Sequence, residues 1–102
     1  MKKFLAISPM LVLVSCVWSR AGVDPPAPLL VAGRGLFLKN CAHCHGADGH
    51  GDDGPDLHNL DWTDAQIARR IRDGKKGQMT TFSGKLSADE IDSLVAYVRT
   101  LK

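Results

Sequence analysis

The sequence lacks a strong charge of either sign. Thirteen Lys and Arg against eleven Asp and Glu leave a net charge of +2 over 102 residues. That balance excludes a nucleic-acid binder built on a basic surface. Aromatic residues are scarce at 6%, and there are no internal repeats or low-complexity runs. A chain this short makes one small domain whose thin core needs a metal, a disulfide or a cofactor to complete it. Cysteine is also scarce, and the count of three is odd, so disulfides alone cannot use them all.

The apolar residues that are present crowd the N-terminus, with twelve of them between positions 4 and 18. Lys2 and Lys3 precede an apolar stretch, Phe4 to Val14, that is interrupted by Pro9 and too short to span a bilayer comfortably. This is the pattern of a bacterial secretory signal, expected over residues 1–15. Its end can be read in two ways. Leu13-Val14-Ser15-Cys16 resembles the lipobox of bacterial lipoproteins, in which the cysteine becomes the lipidated first residue. Ser19-Arg20-Ala21 is the rival small-x-small site, with the cut after 21. Residues 16–30 hold Pro25, Pro26 and Pro28 and read as an extended tether ahead of a domain over 31–102. The implied location is the periplasm or cell envelope, with a lipid on Cys16 tying the chain to a membrane if the first site is used.

The chemistry lies in Cys41-Ala42-His43-Cys44-His45. Two cysteines three apart, followed at once by histidine, form the attachment signature of c-type haem. Residues i and i+3 share one face of a helical turn, so two thiols can reach the two vinyl groups of one porphyrin. The adjacent His45 then supplies a neutral imidazole as proximal ligand. Two other readings of the pair are a thioredoxin-like redox site and half a zinc site completed by His45, His50 or His58. No strand–helix alternation surrounds the motif to favour the first.

A helix is expected to start at Thr63, with Gln66 as capping partner, Ile67 and Ile71 inward, and Gly74 as its stop. Ser87 and Glu90 form a second capping box ahead of Ile91, Leu94, Val95, Val98 and Leu101 at helical spacing. Gly33 and Gly35 weaken an N-terminal helix but permit close approach of a partner. Met79, the sole methionine after the signal, sits in a polar loop between two helical patterns.

In this order of features, the chain from Leu29 to Lys102 resembles the small bacterial class I cytochromes c. The match runs through Phe37, the haem motif, the Gly-Pro-Asp-Leu segment at 54–57, the middle helix, the methionine loop and the C-terminal helix. The resemblance implies an all-α cytochrome c fold, with three to four helices wrapped around one covalently attached haem. It implies Met79 as the distal iron ligand opposite His45, and Pro55 as the residue whose carbonyl accepts a hydrogen bond from the proximal imidazole. It also implies contact between Phe37 and Tyr97 where the terminal helices cross. His50 and His58 remain as alternative iron ligands. The family's methionine is usually followed by Pro-x-Phe, whereas here Thr80 replaces the proline and Phe82 is kept. Proline would fix the loop.

The implied function is one-electron transfer without catalysis. The alternative is a haem protein whose sixth site is labile or open, with peroxidase-like or gas-binding behaviour. Charge is split along the chain: residues 46–68 hold six Asp and no Lys or Arg, whereas residues 69–85 hold six basic side chains and one Asp. The basic segment includes the methionine loop and would attract an acidic redox partner. Any one of Arg69, Arg70 and Arg72 could instead pair with haem propionates.

Overall fold

The computed structural model describes residues 25–102, so the signal, Cys16 and both cleavage sites lie outside the described residues. Four helices follow in order: α1 Ala27–Asn40, the single turn α2 Ala42–His45, α3 Asp64–Asp73 and α4 Ala88–Arg99. No strand occurs among the described residues. None of these helices is long and apolar enough to cross a membrane.

Helix α1 begins four residues before the expected domain start, within the stretch assigned to a tether. The reason lies in the first turn, whose backbone N–H groups have no intrahelical partner. Pro28 therefore sacrifices no hydrogen bond there, and its fixed φ suits the helix. The Pro26 carbonyl accepts from Leu29 N at 2.9 Å and so opens the ladder. Both capping boxes form as the sequence predicts. Gln66 N–H donates to Thr63 Oγ1 at 3.2 Å while Thr63 N–H donates to Gln66 Oε1 at 2.9 Å. Ser87 and Glu90 repeat the pattern at 3.1 and 3.0 Å.

The core is Phe37, Ile67, Ile71, Ile91, Leu94, Val95 and Val98, with Phe37 and Leu94 wholly enclosed. It forms where α1 crosses α4. Phe37 and Tyr97 meet there with ring centroids 5.3 Å apart and planes tilted by 53°, a favourable aromatic geometry. Gly33 makes the crossing possible, because a Cβ on it would lie 2.1 Å from the Ser93 carbonyl oxygen. Gly35 plays no such part, since a Cβ there meets nothing within 4 Å. Only one of the two glycines thus serves close packing. Leu101 falls beyond the end of α4 and is half-buried, so it does not extend the helical stripe.

The two glycines should respond in opposite directions. Gly33→Ala would drive a methyl group into the α4 backbone and lower stability by about 1–3 kcal/mol. Gly35→Ala should raise stability by about 0.5–1 kcal/mol through helix propensity alone. Denaturant unfolding of the two variants beside the parent protein measures both signs.

Candidate haem-binding site

Helix α1 ends at Cys41, whose N–H donates to the Phe37 carbonyl at 2.8 Å. The Cys41 carbonyl then accepts from Cys44 N at 3.2 Å and His45 N at 3.0 Å, closing the tight turn of α2. Cys41, Cys44 and His45 thereby line one cavity of about 490 Å³. The cysteines are not bonded to one another. Burial pushes the Cys41 thiol up to about 11, with Cys44 adding to the shift, so at neutral pH it is an uncharged S–H.

His45 is buried, and its Nδ1 lies 2.8 Å from the Pro55 carbonyl oxygen. A carbonyl can only accept, so Nδ1 carries the proton and Nε2 keeps its lone pair. The segment bearing Pro55 is knitted onto α2 by two further bonds: Gly54 N to Cys44 O and Gly51 N to His45 O, both 2.7 Å. Gly54 keeps this approach uncrowded, because a Cβ would sit 3.0 Å from His45 Cε1 and 3.1 Å from Nδ1. Nothing in the local sequence pattern singles out that role.

Met79 also lines the cavity, half-buried, from a small hairpin-like loop after α3. Lys75 N donates to Met79 O at 2.9 Å and Met79 N donates back to Lys75 O at 2.8 Å. Gly74 seats this loop. Its φ is +67°, and a Cβ would come within 2.5 Å of Met79 O. Downstream, Thr81 Oγ1 donates to Arg72 O at 2.7 Å, and Ser83 N donates to that same carbonyl at 2.9 Å. The loop is thus tied to the end of α3 without the proline whose place Thr80 takes.

Much of the remaining wall is apolar. Phe37, Leu57, Leu60, Ile67, Ile71, Phe82, Leu94 and Val98 contribute to it. Four charged side chains also line it: Asp53 and Asp56 from the long loop between α2 and α3, and Arg70 and Lys75 from α3 and the methionine loop. Arg70 also holds its guanidinium carbon 5.3 Å from the centre of the Trp62 ring. Of the three candidate arginines, Arg70 alone lines this cavity. Arg72 is paired outside with Asp73 at 3.0 Å, which holds the Asp73 carboxyl below its ordinary range.

His50 and His58 do not line the cavity. They stack on one another beside Asp56, so the structure brings neither to the cysteines nor to Met79. Sequence reasoning also missed Arg99. It donates to Asp64 Oδ1 at 2.6 Å, to Leu60 O at 3.4 Å and to Trp62 O. These bonds clamp the far end of the long loop to α4. A lone arginine in a last helical turn gives no sequence signal for such a clamp.

The residues present suit a haem c. Two thiols on one turn, a neutral imidazole fixed through Nδ1 and a thioether share a single cavity, and its walls are the apolar core itself. The donor set combines covalent attachment with nitrogen and sulfur ligands, the combination iron porphyrins take in electron-transfer proteins.

Residues 28–98 match the family described as cytochrome c oxidase, cbb3-type, subunit III, and the chain belongs to this family of cytochrome c domains. Its relatives include the cbb3-type cytochrome c oxidase subunit FixPc of Rhizobium leguminosarum bv. viciae, 32% identical over 92 residues. That alignment covers 83% of this chain and 32% of the relative, so the chain spans about a third of the relative's length. Among solved structures, cytochrome cL of Methylophaga aminisulfidivorans MPT superposes with a TM-score of 0.67 at 26% identity, covering 76% of this chain and 55% of that one. Cytochrome c6 of the diatom Phaeodactylum tricornutum superposes with a TM-score of 0.62 at 34% identity, covering 70% and 91%. The fold is therefore the all-α cytochrome c fold, and the family's cofactor is covalently bound haem c.

The methionine loop provides a local test. Gly74→Ala places a methyl group against Met79 O in a left-handed backbone and should cost about 1–3 kcal/mol. Gly77→Ala, at φ +75° with open space around it, should cost only the backbone term of about 1 kcal/mol. Thermal unfolding of the two variants checks the order.

Proposed function

We propose that this chain is a single-haem electron carrier, with Cys41 and Cys44 as thioether attachments and His45 Nε2 and Met79 Sδ as axial iron ligands. The observation that carries the reading is the His45 Nδ1–H bond to Pro55 O at 2.8 Å in the wall of the cavity shared by both thiols and Met79. Bound there, haem supplies a one-electron couple. The Pro55 carbonyl accepts from Nδ1–H, keeping the ring oriented and electron-rich at Nε2. Attachment adds each S–H across a vinyl group, and the uncharged Cys41 thiol is suited to an apolar wall. Phe37, Ile67, Ile71, Leu94 and Val98 keep water away. Their low polarity and the thioether ligand favour the less charged, reduced state, and hence a high potential.

Filling both axial positions leaves no place for substrate, which makes the chain a carrier rather than an enzyme. The bracing of the Met79 loop by Thr81 and Gly74 supports this over the open-site alternative. Arg70 is the side chain proposed to pair with a haem propionate. Arg69, Lys75, Lys76 and Lys85 form the basic surface toward an acidic redox partner. The relatives named as oxidase subunits support a partner of the respiratory type. The chain is assigned to the periplasm or cell envelope on its N-terminal signal, with Cys16 as the lipid attachment point.

Two measurements test this reading. The ferric protein should show the weak sulfur-to-iron charge-transfer band. Met79→Ala should abolish that band, lower the reduction potential and open the iron to carbon monoxide in the ferrous state. A ferric parent protein that lacks the band and turns over peroxide would establish the open-site alternative. For the anchor, the parent protein should fractionate with membranes and Cys16→Ser should release it. A parent protein found soluble, with a mature mass starting at Gly22, would show that the second cleavage site is used.

A further inference from the structure

At the rim of the cavity, which Asp56 lines, the loop between α2 and α3 builds a second cluster of chemistry. The rings of His50 and His58 stack face to face, with centroids 3.7 Å apart and planes within 3°. Both present Nδ1 to one carboxylate: His58 Nδ1 lies 2.8 Å from Asp56 Oδ1, and His50 Nδ1 lies 3.6 Å from Asp56 Oδ2. The ligand atoms of the three residues all fall within 4.8 Å of one another, the one such trio among the described residues. We propose that His50, Asp56 and His58 form a surface site for a first-row divalent transition-metal ion, with zinc(II) or copper(II) as occupant.

The donor chemistry selects this class. Two imidazole nitrogens and one carboxylate oxygen suit zinc or copper, whereas calcium and magnesium require oxygen-rich sets. The dimensions also fit. Donors about 2.0–2.2 Å from a tetrahedral zinc stand roughly 3.3 Å apart. The two separations from Asp56 fall on either side of that value. The rings are parallel, so the exposed His50 ring must turn for both in-plane lone pairs to meet one ion. On binding, the ion takes the place of the Nδ1 proton that faces Asp56, and the neutral ring carries its proton on Nε2 instead, exchanged through solvent. Exposure of the His50 side chain at 61% and of Asp56 at 53% leaves an approach path and room for water as the remaining ligand.

The site is also organised before any ion arrives. His58 is only 13% exposed, and its own N–H donates to Asp56 Oδ1 at 2.8 Å. His50 N–H is held by Asp48 Oδ1 at 3.0 Å, which brings a second carboxylate close by. The loop is fastened on both sides by Leu57 N to Gly49 O at 2.8 Å and Asn59 N to Leu101 O at 2.9 Å. Of the three residues only Asp56 also lines the large cavity, and neither histidine does, so the site shares no residue with the candidate haem ligands.

Equilibrium dialysis of the haem-loaded protein against zinc(II), with zinc and iron counted by mass spectrometry, tests the proposal. One zinc per iron is expected, removable by EDTA. His50→Ala and His58→Ala should each weaken binding by about 10- to 100-fold, while the haem absorption spectrum stays that of the parent protein. His50 is exposed, so its variant keeps the fold and decides the matter alone. The exposed His43, replaced by Ala, should leave zinc binding unchanged. Absence of saturable binding would overturn the proposal. So would parent-like affinity in His50→Ala.

Discussion

The hydrogen bond from His45 Nδ1–H to the Pro55 carbonyl organises much of this molecule. It fixes a ring on α2 by means of a loop residue ten positions later, so the loop must fold back over the turn that bears the thiols. Gly54 eases that return, because a Cβ there would crowd the imidazole and the Cys44 carbonyl. The return also requires the loop's far end to be held, which Arg99 does through Leu60, Trp62 and Asp64. Arg99 is in turn placed by α4, and α4 by its crossing with α1 at Gly33. A single imidazole orientation is thus underwritten by contacts that reach both ends of the domain.

What could be read in the sequence follows from how local each constraint is. The capping boxes at Thr63 and Ser87 involve partners three residues apart, and both form. The cysteine–histidine motif is legible because covalent chemistry on one helical turn dictates the spacing. Pro55 and the Phe37–Tyr97 pair were reachable only through the family resemblance. No local rule connects residues separated by ten or sixty positions. The prolines at 25, 26 and 28 misled for an opposite reason: the composition of an extended tether is also the composition of a helix start. Gly33 and Gly35 look equivalent in sequence, and only the position of Ser93 separates them.

The acidic loop changes meaning in the same way. As sequence, its aspartates and histidines form a solvated stretch with two spare iron ligands. In the fold, Asp48 and Asp56 each accept a backbone N–H two residues on, which holds both carboxyls below their ordinary range. These short turns set His50 and His58 parallel and face both toward Asp56. Reaching the opposite wall of the cavity would mean breaking both turns. The geometry that keeps the histidines from the iron therefore also gathers them into a donor set of their own.

The core shows why cofactor and fold are inseparable here. Five of its seven buried apolar residues, Phe37, Ile67, Ile71, Leu94 and Val98, also line the cavity. Only Ile91 and Val95 belong to the core alone. Without a group in the cavity, these side chains lack packing partners on one side, and the core of a domain this small is incomplete. A porphyrin in that space closes the core in the act of binding, so its binding energy adds directly to folding stability. Covalent attachment then has a physical rationale beyond retention. It keeps the missing part of the core in place whatever the state of the iron's other ligands.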